Sequence, residues 1–309
     1  MVVKFNKETI IKNLEIIRDY EKFNKDIYKV KAYDNVINNI LIYPKDIKDL
    51  NDIKEIQGIG KGIYEKIKEL YETGKISYIT TNINKDKFYK FKKELIEIYG
   101  IGPSNIEKII ESGIKSITQL KKNVFCLNDK QKIGLKYHKD LKKRIPLKEF
   151  KDHIKILESD IPSNITYDFV GSYRRGKKSM GDIDIIIMKN TKFDLKKFVN
   201  SLNTKGYIIE TLASGANKFM GIVKIDNKPA RRLDILIAPE NEYYYSLLYF
   251  TGSNIFNIGM RSYVKNKFGL SLSEHGFDKK HPEIKSEADI FKFLNLKYVE
   301  PKKRNNFIS

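Results

Sequence analysis

Hydrophobic positions follow two different spacings along the chain. Up to about residue 150, isoleucine and leucine recur every three or four positions, as they do on one face of a helix. This spacing predicts amphipathic helices, among them Glu8 to Phe23, Tyr33 to Ile42 and Ile63 to Glu72. Glycine and proline separate the helical segments, which is typical of short connections between helices. The first half of the chain is therefore predicted to be entirely helical.

After about residue 165 the spacing becomes that of β-strands. Short runs rich in Ile, Val, Tyr and Phe are separated by turn residues. The predicted strands are Ile165–Val170, Ile183–Met188, Tyr207–Thr211, Phe219–Ile225 and Arg232–Ile237, with a helix near Phe193–Leu202. From Tyr243 onward we expect one helix among short irregular pieces, ending in a basic stretch at 302–304. The overall pattern predicts a helical half followed by an α/β half.

One short pattern occurs twice in the helical half. An apolar residue, any residue and then Gly-Ile-Gly precede a predicted helix at Ile56–Gly60 and again at Ile98–Gly102. Glycine allows a sharp turn and a close approach to another molecule, and the helix that follows begins with N–H groups suited to a phosphate. Two copies indicate helix-hairpin-helix motifs that bind a nucleic-acid backbone through Gly58, Gly60, Gly100 and Gly102. The alternative is a pair of ordinary tight turns between helices.

The most informative stretch for chemistry surrounds two alternating aspartates. Asp182 and Asp184 lie two positions apart in a predicted strand, so they face the same side, and a later strand carries Asp234. If the two strands are neighbours, three carboxylates converge, and hard cations such as Mg²⁺ relieve their repulsion. Two such ions suit a nucleotidyl transfer, because they hold the attacking oxygen and the leaving pyrophosphate. Ser172 and Arg175, just upstream, are suited to bind triphosphate oxygens.

Composition narrows the class of partner. The chain has 309 residues, enough for two or more domains, and 59 Lys and Arg against 39 Asp and Glu give a formal charge of +20. Such a surplus points to a polyanion, and nucleic acid is preferred over a membrane because no apolar run is long enough to span a bilayer. The single cysteine, Cys126, excludes an intramolecular disulfide. We expect an intracellular protein, in a nucleus or at a viral or cytoplasmic replication site.

These residues together resemble family X of the DNA polymerases, of the DNA polymerase β type. Matching stretches occur along nearly the whole chain and include Lys61–Lys66, Gly100–Ser104, Gly171–Asp184, Arg231–Asp234 and Tyr249–Ser253. The resemblance implies a multidomain α and β fold with a helical lyase-like domain at 1–80 and a helical DNA-binding subdomain at 81–146. A nucleotidyltransferase-type α/β palm at 147–240 and a small nucleotide-selecting α+β subdomain at 241–309 would follow.

The resemblance also implies roles for residues of the second half. Asp182, Asp184 and Asp234 would hold two Mg²⁺ ions, which Mn²⁺ can replace, and Asp234 would assist loss of the primer hydroxyl proton. The implied nucleotide-binding residues are Ser172, Arg175, Gly181, Tyr249, Phe250, Gly252 and Asn257. Arg261 would reach the template strand, and Arg232 would lie beside Asp234; both are counted among the DNA-binding residues.

In the helical half, the resemblance implies a second activity. Lys66 would attack a 5′-deoxyribose phosphate and form a Schiff base, with Lys29 and Lys61 binding the 5′-phosphate and Tyr33 packing beside them. The hairpin loops would bind DNA phosphates partly through a monovalent cation, Na⁺ or K⁺. The alternative for Lys66 is an ordinary surface lysine, since lysine is abundant throughout the chain.

Three hypotheses for function follow. The leading one is a monomeric polymerase that fills short gaps in base excision repair, acting on gapped or nicked DNA with a 5′-phosphate and on deoxynucleoside triphosphates, with an associated lyase. The second is a template-independent terminal transferase, which would need a long insertion between palm strands that is not evident around Asp226–Pro229. The third is an inactive scaffold for DNA ends, disfavoured because the three aspartates and Arg175 are all present.

Overall fold

The computed structural model describes residues 4–305, so the outer limits predicted for the first and last domains, residues 1 and 309, lie outside the described range. The chain divides into two compact units, Met1–Leu135 and Lys136–Ser309. Within residues 4–305, no helix is long and apolar enough to cross a bilayer.

The first unit is built from helices, as the hydrophobic spacing predicts. They are α1 (Lys7–Phe23), α2 (Ile27–Ile42), α3 (Leu50–Lys54), α4 (Lys61–Thr73), α5 (Tyr89–Ile96), α6 (Pro103–Glu111), α7 (Ile117–Lys122) and α8 (Asp129–Leu141), which continues into the second unit. Helix α2 begins before its predicted start at Tyr33. The side chain of Asp26 caps the helix by accepting a hydrogen bond from the backbone N–H of Lys29. A left-handed glycine, Gly74, ends α4.

Two separate hydrophobic clusters stabilise the helices of the first unit. The first lies among α1, α2 and α4 and includes Leu14, Val36 and Ile67, all fully buried. The second lies among α5, α6 and α7 and includes Leu95 and Ile109, which are equally buried. Removal of these apolar side chains from water is the main contribution that holds each group of helices together. Each cluster therefore supports one of the two Gly-Ile-Gly turns.

The second unit begins with a mixed sheet and three helices. Its elements are β1 (Ile145–Pro146), α9 (Leu147–Glu158), β2 (Tyr167–Phe169), α10 (Gly171–Arg174), β3 (Ser179–Met180), β4 (Ile183–Met188), α11 (Leu195–Thr204), β5 (Ile208–Ser214), β6 (Lys218–Val223) and β7 (Arg231–Ala238). Five strands form one sheet in the order β2-β4-β7-β6-β5, and β1 pairs with β3. Within the large sheet only β4 and β7 are parallel. All five predicted strands and the helix after the second of them are confirmed.

Both faces of this sheet are covered. Ile183, Ile185 and Ile187 alternate along β4 and enter the core that includes Phe198 of α11. Ile186 points to the opposite face and belongs to a smaller cluster. Alternation therefore sets the direction of the side chains of β4, and it directs Asp182 and Asp184 away from the larger core.

The remainder of the second unit contains more helix than the pattern predicts. It consists of α12 (Tyr243–Thr251), α13 (Asn254–Phe268), the two-stranded pair β8 (Leu272–Ser273) and β9 (Gly276–Phe277), and α14 (Glu287–Phe293). The prediction of one helix in this region was wrong. Most of α12 is buried, so it lacks the polar face that marks an amphipathic helix. A separate capping residue, Ser253, starts α13 by accepting the Phe256 N–H.

Candidate active site

The sheet brings the three aspartates together. β4 and β7 are parallel neighbours in a register that places Asp184 opposite Asp234. Asp182 immediately precedes β4, and the guanidinium of Arg232 in β7 donates a hydrogen bond to it. The Nε atom of Arg232 lies 3.4 Å from Asp234 Oδ1. The predicted pairing of the two aspartate-bearing strands is therefore present, with Arg232 between two of the carboxylates.

The aspartates occupy an environment that opposes their negative charge. Burial, followed by the charges of Asp182 and Asp234, raises the pKa of Asp184 to about 8. Burial also raises the pKa of Asp234, and the nearby guanidinium of Arg232 acts in the opposite direction. Gly171 leaves room for this cluster, because a Cβ there would lie 2.7 Å from Asp184 Oδ2. Neutralisation by protons or by cations would therefore stabilise this part of the sheet.

The donor set fits a hard divalent cation. All three side chains offer carboxylate oxygens, the ligands that Mg²⁺ prefers. Asp234 Oδ1 is buried and accepts no hydrogen bond from the residues that the structure describes. Within residues 4–305, however, no three His, Cys, Asp or Glu side chains are already arranged as a metal site, and Arg232 binds Asp182. The residues fit divalent ions, provided that Arg232 leaves Asp182.

An arginine-lined cleft of about 500 Å³ opens beside Asp182. Three of the predicted nucleotide-binding residues, Ser172, Arg175 and Gly181, line it together with Arg144, Lys177 and Lys178. The side chain of Arg144 is held by the Ser179 hydroxyl, which accepts from its Nε at 3.2 Å. Burial, followed by the charge of Arg144, lowers the pKa of Arg175. Converging cations of this kind suit a polyanionic ligand such as a triphosphate.

The sequence did not lead us to predict a role for Arg144. It follows Lys142 and Lys143, so neither its charge nor its position distinguishes it from the many other cations of this chain. Its place in the cleft depends on the pairing of β1 with β3, which joins residues more than thirty positions apart. The local sequence around Arg144 therefore carries no signal of its role.

The remaining predicted nucleotide-binding residues form a second group at the end of α12. The rings of Tyr249 and Phe250 meet edge to face, with centroids 5.1 Å apart. Asn257 donates to the Tyr249 carbonyl at 2.7 Å, and Arg261 lies over the Tyr249 ring at 5.9 Å from its centroid. Tyr249, Asn257 and Arg261 are thus brought together, although they were assigned to the nucleotide and to the template strand separately.

Gly252 connects this second group to the arginine-lined cleft. Its φ of 66° lies in the left-handed region, and a Cβ there would be 3.3 Å from Arg175 Nη1. The same guanidinium donates to the carbonyl of Thr251. The glycine therefore allows Arg175 to approach the turn between α12 and α13 closely.

Three of the four residues predicted for lyase chemistry, Lys29, Tyr33 and Lys66, lie in the first unit near a buried carboxylate. Lys66 Nζ is 5.6 Å from the centroid of the Tyr78 ring, whose hydroxyl donates to Glu21 at 2.6 Å. Glu21 is only 3% exposed and also accepts from Lys29 Nζ at 3.2 Å. Burial, followed by the charge of Glu21, raises the pKa of Tyr33 to about 12. Glu21 thus interacts with both Lys29 and Tyr33. The sequence did not lead us to predict a role for Glu21.

The two lysines predicted to bind the 5′-phosphate, Lys29 and Lys61, lie in different surroundings. Lys29 is paired with Glu21 and also with Asp26, at 3.1 Å, so a phosphate would have to compete with two carboxylates for it. Lys61 is exposed at the first position of α4 and has solvent around it. Lys61 is therefore the better placed of the two cations for a ligand that arrives from solution.

Both Gly-Ile-Gly turns have the same backbone geometry. The first glycines, Gly58 and Gly100, have φ values of 82° and 83°, a conformation that favours glycine. The second glycines, Gly60 and Gly102, are the N-cap residues of α4 and α6. A glycine cap has no side chain to cover the first N–H groups of the helix, which leaves them available to an anion. The repeat predicted from sequence is thus a repeated structure.

The carbonyl groups of these turns are partly engaged by neighbouring amides. Asn39 donates to the Gln57 carbonyl at 2.8 Å, and Gln131 donates to the Gly100 carbonyl at 3.0 Å. Each carbonyl oxygen retains a second lone pair. A monovalent cation at either turn would therefore share these oxygens with the amide side chains.

Family models match the chain in four consecutive segments. They are a helix-hairpin-helix domain at residues 6–76, the fingers domain of DNA polymerase lambda at 93–142, the DNA polymerase beta palm at 144–240 and the DNA polymerase beta thumb at 246–305. Palm and thumb models thus match the sheet with the three aspartates and the helices that follow it. The chain belongs to family X of the DNA polymerases.

Similar proteins include DNA polymerases from plants and animals. DNA polymerase lambda of Arabidopsis thaliana is 30% identical over 94% of this chain, and that of Rattus norvegicus is 27% identical over 96%. The type-X family protein pol4 of Schizosaccharomyces pombe is 22% identical over 98% of this chain. The chain spans 60%, 56% and 65% of the lengths of these three relatives.

Proposed function

We propose that the protein is a DNA-directed DNA polymerase that fills short gaps during base excision repair. The observation that carries the proposal is the parallel register of β4 and β7, which sets Asp184 opposite Asp234 beside an arginine-lined cleft. Its substrates would be gapped or nicked DNA and deoxynucleoside triphosphates. Membership of family X and the lambda polymerases among its relatives support this assignment.

Different residues would carry out different parts of the proposed reaction. Asp182, Asp184 and Asp234 would hold divalent ions, Mg²⁺ or Mn²⁺, which when bound neutralise the phosphates and make the primer hydroxyl more acidic. Arg175 and Arg144 would bind triphosphate oxygens in the cleft. The carboxylate of Asp234 would accept the proton of the primer 3′-hydroxyl, for which its buried Oδ1 atom is free of other hydrogen bonds from the described residues.

Asp234→Ala tests the polymerase proposal. On a duplex with a one-nucleotide gap, we expect incorporation to fall by at least about 10²-fold, the loss of several kcal/mol of charge stabilisation. DNA binding should remain close to that of the wild type. The matched control is Asp226→Ala, an exposed aspartate between β6 and β7, which should incorporate normally. Normal incorporation by Asp234→Ala would refute the proposal.

The choice of DNA end separates gap filling from template-independent addition. We expect efficient incorporation opposite a template base in a gap, stimulated by a 5′-phosphate on its far side, and little addition to a single-stranded end. Preference for the single-stranded end would favour the terminal transferase hypothesis instead. The salt concentration must be fixed, because protein–DNA affinity depends strongly on it.

We further propose a 5′-deoxyribose-phosphate lyase activity with Lys66 as the nucleophile. The position of Lys66 over the ring of Tyr78, whose hydroxyl donates to the buried Glu21, supports this assignment. Its amine would form a Schiff base with the sugar aldehyde, releasing water, before the 3′-phosphate is eliminated. Lys61 and the uncovered N–H groups of α4 would bind the 5′-phosphate.

Borohydride trapping on an incised abasic duplex tests this second activity. Lys66→Ala should lose the trapped adduct and keep polymerisation. The matched control is Lys68→Ala in the same helix, whose side chain is paired with Glu72 at 3.9 Å and should leave trapping unchanged. Undiminished trapping by Lys66→Ala would show that another lysine is the nucleophile.

A further inference from the structure

A charged residue lies fully buried near the end of the described chain. Arg304 has 0% of its surface exposed. Its guanidinium lies between the rings of Phe256, Phe291 and Tyr298, with centroids 5.5, 5.6 and 5.7 Å away. Its Nε donates to the Val299 carbonyl at 2.9 Å. Burial of an arginine is costly unless it is paired, so its partners indicate why it is there.

The partner of Arg304 is a buried glutamate shared with a second arginine. Glu287, the first residue of α14, accepts from Arg304 Nη1 at 2.7 Å and from Arg174 Nη2 at 2.6 Å. Burial acts to raise the pKa of Glu287, but the hydrogen bonds from the two guanidinium groups hold it below its usual range. The glutamate is therefore ionised and links Arg304 to Arg174 of α10.

Arg174 extends this network to the turn between α12 and α13. Its Nη1 atom donates to the hydroxyl of Thr251 at 2.8 Å, and Thr251 is completely buried. The next residue along the chain, Arg175, donates to the Thr251 carbonyl. Two consecutive arginines thus hold one threonine by its side chain and by its backbone. Movement of Arg174 would therefore displace both Arg175 and the turn at Gly252.

The segment that carries Arg304 also contacts both halves of the proposed nucleotide site directly. We name residues 299–305 the C-terminal clasp. The backbone N–H of Ser253 donates to the Arg304 carbonyl at 3.3 Å, and its hydroxyl donates to the Asn305 carbonyl at 3.1 Å. On the other side, Lys177 Nζ donates to Asn305 Oδ1 at 2.9 Å. The clasp therefore bridges the arginine-lined cleft and the turn at Gly252.

We propose that Arg304 and Glu287 are positioning residues for the incoming nucleotide. By anchoring the C-terminal clasp, they fix the distance between Arg175 and the turn at Gly252, which would bind the triphosphate and the sugar of one nucleotide. This inference rests on the proposed polymerase function. The groups that the clasp holds apart would bind the triphosphate and the sugar in the ground state as well as in the transition state, so loosening the clasp should raise KM more than it lowers kcat.

Arg304→Met and Glu287→Gln test the role of the clasp in the full-length protein. Methionine keeps the contact with the three rings but removes the charge, and glutamine keeps the shape of the glutamate. For each variant we expect the KM for a deoxynucleoside triphosphate on gapped DNA to rise about tenfold, with kcat changed by less than about threefold. The KM of the double variant should be no higher than that of either single variant, because both substitutions break the same ion pair between Arg304 and Glu287. The matched control is Lys303→Met, an exposed neighbour that should keep the wild-type KM.

Several outcomes separate a positioning role from a merely structural one. A lower melting temperature with an unchanged KM at a temperature where the variants are folded would overturn the proposal. If Arg304→Met does not fold, Arg304→Lys and Glu287→Gln must still raise KM, with the lysine variant less affected because it keeps the charge. Failure of the polymerase function itself would appear differently, as wild-type protein without incorporation or as an active Asp234→Ala.

Discussion

At the scale of single residues, one glycine in the first unit is required for packing. A Cβ on Gly134 in α8 would lie 2.2 Å from the carbonyl oxygen of Tyr99 and 3.0 Å from its carbonyl carbon. Backbone atoms cannot move aside as a flexible side chain does. We expect Gly134→Ala to destabilise the protein by about 1–3 kcal/mol, the usual cost of overpacking, as measured by urea unfolding.

A second glycine provides the comparison. Gly62 in α4 has nothing within 4 Å of the position that a Cβ would occupy. Alanine favours the helix over glycine by about 0.5–1 kcal/mol, so Gly62→Ala should raise stability or leave it unchanged. Equal losses at the two positions would contradict the steric explanation for Gly134.

A buried histidine predicts how stability depends on pH. His153 is 0% exposed, and its Nδ1 is 2.7 Å from the Tyr207 hydroxyl. Burial lowers its pKa from 6.5 to about 4, against the raising influence of Glu149; Arg231 lowers it further. Between these values the unfolded chain binds a proton that the folded chain does not. The free energy of unfolding should therefore decrease as pH falls from 6.5 to 4, by on the order of 3 kcal/mol.

His153→Asn isolates this contribution, because the asparagine oxygen can still accept the Tyr207 hydroxyl. Urea unfolding at pH 7 and at pH 4.5 should show a smaller difference for this variant than for the wild type. The control, His275→Asn, removes an exposed histidine whose pKa is raised by Glu242 and should keep the loss at acidic pH. An unaltered acid dependence in His153→Asn would show that other groups cause it.

Residues whose role follows from a local pattern could be predicted from the sequence, and residues whose role depends on distant partners could not. Asp182 and Asp184 were predictable because strand alternation alone puts them on one face. Glu287 and Arg304 were not, since each is one charge among 98 and their link to Arg174 spans more than a hundred positions. Glu21 was missed for the same reason, because its partner Tyr78 is 57 positions away.

At the scale of elements, the strands were easier to predict than the C-terminal helices. β4 and β7 are rich in isoleucine and short, which is typical of buried strands. By contrast, α12 is buried around most of its surface by aromatic and aliphatic side chains, so it has no helical periodicity to detect. Its existence depends on contacts with the sheet and the later helices, which the local sequence does not encode.

The two Gly-Ile-Gly turns allow a matched experiment on DNA binding. Gly100 in the second turn and Gly113 just after α6 have nearly identical φ values of 83° and 84°. Alanine at either position meets the same backbone strain, so both variants should lose a similar amount of stability. Only Gly100→Ala alters a proposed phosphate-binding turn, and it should weaken binding to duplex DNA several-fold, equally for different base sequences.

Fluorescence anisotropy with labelled duplexes at one salt concentration measures the effect. Gly113→Ala should bind as the wild type does, since a Cβ there has nothing within 4 Å. If both variants lose affinity to the same extent, the loss reflects strain and the second turn does not bind phosphate. A loss that varies with base sequence would also contradict a backbone contact.

At the scale of the whole molecule, the charge of +20 predicts the character of DNA binding. Cations that contact phosphates release counterions from DNA, and each contact contributes about −0.9 to the slope of log affinity against log salt concentration. Five or more contacts, a modest number for this surplus, would give a slope of about −4.5 or steeper. We expect such a slope on gapped duplexes, and nearly the same slope on duplexes of unrelated sequence.

Asp234→Ala provides the decisive comparison for this prediction, because it removes a negative charge from the proposed metal site and leaves the cations that contact DNA in place. In the absence of divalent ions its salt slope should match that of the wild type, while incorporation, measured separately with Mg²⁺, is lost. A shallow slope would mean that the lysine surplus is spread over surfaces that DNA does not touch. Affinity would then depend on the few groups identified at the hairpins and the cleft. Substitution of those groups would abolish nearly all of the DNA binding.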